Sequence, residues 1–337
     1  MRLILVGFGN LGRGLSLTLS EKAQFLRERH GLVPKVVAIT DETGALVDDS
    51  GLSMAKLEAL AERGGKVADF PKAKRGKLVL QTIEDVAADV VLELTPTNIK
   101  TGEPGLSHIK AAMKSGKHLV TSNKGPLVTA FKELDSLAKR QGVEFRYSAS
   151  VGGAIPVIEL ARKLLAGNEV QEIEGVLNGT TNYILTRMGE EGAPFDTVLR
   201  EAQEMGIAEK DPTLDVEGID TACKIVILAN SLLGMNAKLK DVDRVGMRRI
   251  GPSAIKLAKE AGYTIKLVGL AKPELLEVAP RLVPRDHPLA VGGTLNSVTF
   301  KLDLAREISI AGFGAGPRET SSSILGDLID VHRTLGC

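Results

Sequence analysis

The chain has 337 residues, enough for roughly two domains. Its formal net charge is +1, with 43 basic and 42 acidic residues, so no basic face is advertised for nucleic acid; tryptophan is absent and only 3% of residues are aromatic, which argues against base-stacking surfaces. Two cysteines make no disulfide framework, the opening MRLILVG is no signal peptide, and no apolar run is long enough to span a membrane, so a soluble cytoplasmic protein is expected.

Leu3-Ile4-Leu5-Val6 has the continuous apolar pattern of a buried parallel strand. Gly7-Phe8-Gly9-Asn10-Leu11-Gly12 follows it, and Leu11, Leu15 and Leu19 then recur at helical spacing. In such a turn the first glycine permits the tight bend, the second lets the backbone approach a pyrophosphate, and the third lets helix and strand pack closely. The helix N-terminus offers N–H groups to the phosphates. The strand–turn–helix context favours dinucleotide binding over a plain tight turn. Val36-Val37-Ala38-Ile39 predicts a second strand, ending at Thr40-Asp41-Glu42. A carboxylate there can bind the hydroxyls of an unmodified ribose and repel a 2′-phosphate, or Asp41 can simply build the turn before Thr43-Gly44; Lys56 lies further on and could still meet a 2′-phosphate. The stretch from Lys66 to Lys77 is polar and basic and reads as an exposed loop region.

Val90-Val91-Leu92 and His118-Leu119-Val120-Thr121 predict two more strands, with Leu106, Ile109 and Met113 on one helical face between them. This alternation predicts a doubly wound parallel sheet. Thr121-Ser122-Asn123-Lys124-Gly125-Pro126 follows the fourth strand, where binding crevices lie; Lys124 could donate a proton or bind an anion, or be an ordinary loop lysine. After Ser150 the rhythm changes. A helix at Val157–Leu165, a strand at Glu172–Leu177 and helices near 183–190, 195–205 and 217–233 are predicted, then strands at 264–270, 275–282 and 297–302 in the manner of an antiparallel meander. The last stretch, 311–335, opens with glycines and becomes helical.

Asn178-Gly179-Thr180-Thr181 opens a helix with small polar residues, which suit a cap or a small polar substrate. Ala208 to Lys224 crowds Glu209, Asp211, Asp215, Glu217 and Asp220 at the mouth of an apolar helix. Asp220 and Lys224, at i and i+4, share a helix face. They form either a salt bridge worth about 0.3–0.5 kcal/mol or a lysine held among apolar neighbours by a carboxylate that fixes its protonation. Cys223 reads as a small core residue and Cys337 as a terminal thiol; His287 has no companions at metal spacing.

Seven segments in order resemble homoserine dehydrogenase: GFGNLG, TSNKGP at 121–126, SVGGAIPVI at 150–158, NGTTNYIL at 178–185, EKDPTLDVEGIDTACK at 209–224, HPLAVGGTLNSV at 287–298 and GFGAGPRETSSSILGDLI at 312–329. The resemblance implies NAD(P)-linked interconversion of L-homoserine and L-aspartate 4-semialdehyde, in the pathway to threonine and methionine. It implies a Rossmann nucleotide domain at 1–149 completed by 305–337, and an α+β substrate and dimerisation domain at 150–304 that pairs with a second copy in a homodimer. By motif, it makes Lys124 and Lys224 the proton-handling lysines. Gly179, Thr180, Glu209, Asp215 and Asp220 fall on the substrate side. Gly7, Phe8, Gly9, Asn10, Leu11, Gly12, Asp41, Thr95, Ser122, Asn123, Gly314, Ala315, Gly316 and Thr320 fall on the cofactor side, with NAD or NADP as cofactor. A structural monovalent cation, sodium or potassium, would take backbone carbonyls of Val151, Gly153 and Ile155.

Three features depart from the family pattern. Two of these are Ile207, where many members have a tyrosine, and Ser148, where cation-binding members have a glutamate; the third is length, since at 337 residues the regulatory domain that some members append is not expected. A related amino-acid or semialdehyde dehydrogenase and a non-catalytic nucleotide-binding protein are the alternative readings. The semialdehyde enzyme needs a cysteine nucleophile, and neither cysteine is well placed for one.

Overall fold

A computed structural model describes residues 1–336; Cys337 lies outside the described residues. The chain divides into two compact units, Met1–Ser150 with the segment from Gly316 onward, and Val151–Ala315.

The first unit is built on β1 (Arg2–Val6), whose Leu3, Ile4, Leu5 and Val6 are wholly buried. Helices α1 (Asn10–Glu21) and α2 (Ala23–His30) lead to β2 (Lys35–Asp41). There follow β3 (Gly44–Val47), α3 (Met54–Glu62), β4 (Lys74–Arg75), α4 (Val79–Asp85), β5 (Val90–Glu93), α5 (Gly105–Lys114), β6 (His118–Thr121), α6 (Lys124–Gln141) and β7 (Phe145–Arg146). The seven strands lie in the order β4-β3-β2-β1-β5-β6-β7. From β2 to β7 every pair is parallel, but β3 and β4 run antiparallel to their neighbours, so the sheet is mixed at one edge. The turn Asp41–Gly44 reverses the chain directly into β3. A side chain at Gly44 would meet the Lys74 carbonyl at 2.4 Å, so glycine lets β4 close on this edge. The expected loop at 66–77 therefore carries an edge strand, and Val67 within it is fully buried. Two-residue strands leave too little periodicity to be seen in sequence.

The second unit begins with α7 (Val157–Glu159), which runs into a π-helical turn at Leu160–Leu164. Then come β8 (Val170–Val176), α8 (Gly179–Glu191), α9 (Phe195–Glu204), α10 (Thr213–Val216), α11 (Ile219–Leu232), β9 (Asp243–Arg244) and α12 (Pro252–Glu260). The long strands β10 (Tyr263–Lys272), β11 (Leu275–Pro284), β12 (Leu295–Leu302) and β13 (Glu307–Phe313) complete it. The order is β13-β12-β8-β10-β11-β9, so the expected meander is corrected: β8 enters between β12 and β10, and β9 pairs parallel with β11. Gly269 and Gly175 oppose each other across β10 and β8. A Cβ at Gly269 would lie 2.6 Å from Ile225 Cγ1, so the glycine is what lets α11 press onto the sheet.

The chain re-enters the first unit later than expected. Residues 305–315 were expected with the nucleotide domain, but β13 pairs with β12 from Lys301↔Glu307 to Leu295↔Phe313. A hairpin through Arg306, at φ 64°, sets that register, with Leu302 N–H donating to the Arg306 carbonyl at 2.7 Å. Only α13 (Pro317–Thr334) rejoins the first unit, where Asp327 accepts from Ser148 N–H at 3.1 Å and Ser148 Oγ at 2.6 Å.

Candidate active site

In the first unit the chain forms a cavity of about 810 Å³ at the carboxyl ends of β1, β2 and β5. Gly7, Phe8, Gly9, Asn10 and Leu11 line it together with Arg13, Asp41, Glu42, Lys66, Lys77, Thr95 and His108. Each glycine of the turn has a different job. Gly7 sits at φ 99°, and a Cβ there would meet the Leu94 carbonyl group at 2.8 Å. Gly12 packs on the Gly7 carbonyl, which a Cβ would approach to 2.2 Å, so helix and strand touch there backbone to backbone. Nothing lies within 4 Å of a Cβ on Gly9, the residue that caps α1 without any side-chain cap. That is a cradle with N–H groups facing open space, and it fits the pyrophosphate of a dinucleotide.

Asp41 serves the turn as well as the cavity wall. Its Oδ1 accepts from Thr43 N–H at 2.7 Å and Thr43 Oγ1 at 2.5 Å, and its Oδ2 from Val67 N–H at 3.0 Å. Glu42 pairs with Lys66 at 3.7 Å. Arg13, Lys66 and Lys77 thus bring three cations to the wall that holds the two carboxylates. Their part was not legible in sequence, because 66–77 read as a plain exposed loop; Lys56, singled out there, does not line the cavity.

Thr95 and Asn123 meet at the ends of β5 and β6, Asn123 Nδ2 donating to Thr95 Oγ1 at 3.3 Å. Asn123 caps α6 by accepting from Gly125 N–H at 3.1 Å; Lys124 is the first residue of that helix, half-buried beside Ser122. Gly316, at φ 122°, opens α13, and its carbonyl accepts from Thr320 N–H at 2.9 Å.

The second unit carries the acid–lysine cluster. Lys224 is only 7% exposed although it lies on the apolar helix α11. Its Nζ donates to the Leu177 carbonyl at 2.5 Å and pairs with Asp220 Oδ2 at 2.8 Å. Asn178 joins the acids, donating from Nδ2 to Asp215 Oδ1 at 2.7 Å and to Asp220 Oδ2 at 3.0 Å. Burial raises the pKa of Asp215 and the nearby Asp220 charge adds to this; hydrogen bonds from Asn178 and Thr180, and the Lys224 charge, oppose the rise. Thr180 Oγ1 donates to the Ile207 carbonyl at 3.0 Å, and a Cβ on Gly179 would meet the Thr294 carbonyl at 2.9 Å.

The other acids disperse. Glu217 binds Arg248 at 2.7 Å, and Asp211 accepts from Thr213 N–H. Glu209 is exposed, and its backbone carbonyl accepts from Gln203 Nε2 at 3.0 Å. Asn178 caps α8 as its sequence suggests, accepting from Thr181 N–H at 2.9 Å, but its bridging of the two carboxylates was not legible in sequence.

Gly314 lies under the amide of Asn296, which a Cβ would meet at 1.9 Å, and Gly153 packs on the Gly314 carbonyl carbon, at 2.5 Å from a Cβ; Ala315 follows at the end of the unit. Val151, Gly153 and Ile155 form one tight turn, but the Ile155 carbonyl already accepts from Val157 N–H at 2.8 Å. No cluster of three His, Cys, Asp or Glu that could hold a metal occurs among the described residues. Lys266, on β10, is buried and donates to Asn182 Oδ1 at 2.6 Å and Thr186 Oγ1 at 3.2 Å; burial lowers its pKa to about 8, against a weaker opposing effect of Glu190. None of the described helices is long and apolar enough to cross a membrane.

A glycine turn at the first strand of a largely parallel sheet, opening on an uncapped helix and a cavity of this size, defines a dinucleotide-binding protein of the Rossmann class. The homoserine dehydrogenase family model matches residues 156–329, and that of the homoserine dehydrogenase NAD-binding domain matches residues 7–148. A homoserine dehydrogenase of Methanocaldococcus jannaschii is 52% identical over 99% of both chains, and an NAD(+)-dependent homoserine dehydrogenase of Pseudomonas canavaninivorans is 38% identical over 99% of this chain and 96% of its own. A crystal structure of a putative homoserine dehydrogenase from Archaeoglobus fulgidus superposes with a TM-score of 0.90 at 42% identity, covering 98% of this chain and 99% of the other. The chain belongs to the homoserine dehydrogenase family and is an NAD(P)-dependent oxidoreductase.

Proposed function

We propose that the two lysines Lys124 and Lys224 handle the proton of the homoserine hydroxyl, that Asp215 binds the substrate's ammonium, and that Asp220 steadies Lys224. The observation that carries this is the burial of Lys224 with Asp220 and Asn178 around it. An ammonium has three N–H donors, and two of those on Lys224 go to Asp220 and the Leu177 carbonyl. The third remains for a substrate oxygen. Oxidation of homoserine removes a hydride from the hydroxyl carbon and a proton from its oxygen. NAD(P), when bound, supplies the nicotinamide carbon that takes the hydride. One of the two lysines, as the neutral amine, accepts the hydroxyl proton and in the reverse direction returns it to the aldehyde oxygen, while the other, as the ammonium, stabilises the negative charge that develops on that oxygen. Glu209 is assigned a place at the substrate's edge, consistent with its exposure.

Asp215 gives a test with a definite sign. Its pKa is raised by burial and by Asp220, and an incoming ammonium favours its ionised form. The KM for homoserine should therefore climb as pH falls through that raised value, and Asp215→Asn should have a high, flat KM. A wild-type KM indifferent to acid pH would remove Asp215 from the ammonium site.

For the cofactor, Asp41 and Glu42 favour an unmodified ribose, so NAD should be used well; Arg13, Lys66 and Lys77 on the same wall leave NADP as a second cofactor. The cation turn offers neutral carbonyls, one of them already engaged, and no catalytic step is drawn from a cation. A homodimer is the assembly we propose. The edge strand β13 ends in Phe313, 56% exposed, and Leu304 in the preceding hairpin is 74% exposed. An apolar sheet edge of this kind calls for a cover, which a second copy would provide. A monomeric mass at micromolar concentration would rule it out.

A further inference from the structure

Glu93 is the last residue of β5 and is wholly buried, yet neither its strand position nor its burial explains a carboxylate there. Its Oε1 accepts from Thr95 N–H at 3.2 Å and from the Thr95 hydroxyl, and its Oε2 accepts from Thr121 Oγ1 at 3.0 Å. Thr121 Oγ1 in turn accepts from Asn123 N–H at 3.0 Å, and Asn123 Nδ2 donates to Thr95 Oγ1. His108, only 5% exposed, brings Nδ1 to 3.7 Å from Glu93 Oε1, and that nitrogen has no hydrogen-bond partner among the described residues. A Cβ on Gly105 would lie 2.5 Å from Asn123 Nδ2 and 3.3 Å from Glu93 Oε1, so the glycine leaves room for this network. Two of its members, Thr95 and His108, line the cavity, and a third, Asn123, caps the helix that begins with Lys124.

A loop staple would need only neutral acceptors, whereas a carboxylate is costly to bury unless it is well paired. Its position between cavity wall and helix cap gives that cost a use. We propose that Glu93 is a positioning residue: its buried carboxylate, with His108 beside it, orients Thr95 and Asn123, and through Asn123 the start of the helix that carries Lys124. This rests on the reading of Lys124 as a proton-handling lysine. A misplacement of about 1 Å at reacting groups can cost on the order of a hundredfold in rate, so a carboxylate that acts only through its neighbours can still control kcat.

The test uses the full chain and the variants Glu93→Ala, Glu93→Gln, Asn123→Ala and the double variant Glu93→Gln/Asn123→Ala. Melting temperature, cofactor Kd by quenching of NADH fluorescence, and kcat and KM for homoserine are measured on each. Glu93→Ala should raise the cofactor Kd about tenfold and lower kcat by up to about a hundredfold. Glu93→Gln, which keeps the shape and one acceptor oxygen, should restore Kd to within about threefold and recover much of kcat. Because Glu93 is held to act through Asn123, the double variant should be no slower than the slower single variant. Additive losses in kcat, or a Glu93→Ala enzyme with wild-type Kd and kcat and only a lower melting temperature, would overturn the proposal. Should Glu93→Ala fail to fold, the Glu93→Gln and Asn123→Ala cycle still decides. Failure of the lysine assignment shows separately, as a Lys124→Ala enzyme with undiminished kcat.

Discussion

The glycine turn of the first unit and the acid–lysine cluster of the second are built by opposite means. In the first, side chains are left out: Gly9 faces open space, and Gly7 and Gly12 bring backbone against backbone. In the second, side chains are packed in: Lys224 is buried on a helix whose Ala222, Cys223 and Ile225–Ala229 are also buried, and it is held by Asp220 and the Leu177 carbonyl. A site made of backbone is written in consecutive residues. A site made of side chains draws its members from far apart, here Leu177 and Asn178 on one stretch and Asp215, Asp220 and Lys224 on another. The two should also fail differently, the first losing ligand and the second losing chemistry.

The largest effect should come from the second site. Lys224→Ala should cut kcat by about a hundredfold or more, the range a positioned acid–base group contributes, while cofactor Kd stays near normal. Asp220→Ala should do less harm, because it steadies the lysine. A Lys224→Ala enzyme with near-normal kcat and only a lower melting temperature would make the pair an ordinary helix salt bridge.

Lys266 sharpens the contrast between a buried lysine with a carboxylate and one with only neutral partners. Its pKa is depressed to about 8 in the folded chain from an ordinary 10.5, so between these values the unfolded state binds more protons. Stability should therefore rise with pH across that window, by at most roughly 3 kcal/mol. Chemical denaturation from pH 7 to 10.5 measures it, and Lys266→Met should lose that rise. An equal pH dependence in the variant would show that other groups cause it.

The glycines give the smallest but cleanest separation. Gly9→Ala should leave the melting temperature unchanged and weaken cofactor binding about tenfold, since its methyl group would occupy the phosphate cradle. Gly12→Ala should instead destabilise the fold by roughly 1–3 kcal/mol through overpacking on the Gly7 carbonyl. Unchanged cofactor affinity in a folded Gly9→Ala protein would refute the phosphate cradle.

The four central strands of the first sheet, β2, β1, β5 and β6, were legible because parallel strands buried on both faces are short apolar runs, as in Leu3–Val6 and Val90–Leu92; the short β3, β4 and β7 were not. The second sheet was harder. Its register puts Glu172 opposite Lys301, Glu174 opposite Thr299 and Leu270, and Thr299 opposite Ser309 on one face, so polar residues alternate with apolar ones. β13, exposed at every second position, carries too weak a pattern to be separated from the helix that follows. Alternation marks a strand but does not name its neighbours, which is why β8 was not expected between β10 and β12.

By itself the sequence determined what depends on neighbours along the chain: the glycine turn, the apolar strands of the first sheet, the i, i+4 pairing of Asp220 with Lys224, and the ordered motifs of the homoserine dehydrogenase family. Tertiary structure alone decided that Asn178 ties Asp215 to Asp220, that Glu209 is exposed, that Lys66 and Lys77 reach the cavity wall and that Glu93 underlies Thr95 and Asn123. Apart from that of Glu93 with Thr95, these contacts join residues tens of positions apart, and a hydrogen bond of about 3 Å depends on where the backbone brings two side chains, which no local pattern encodes.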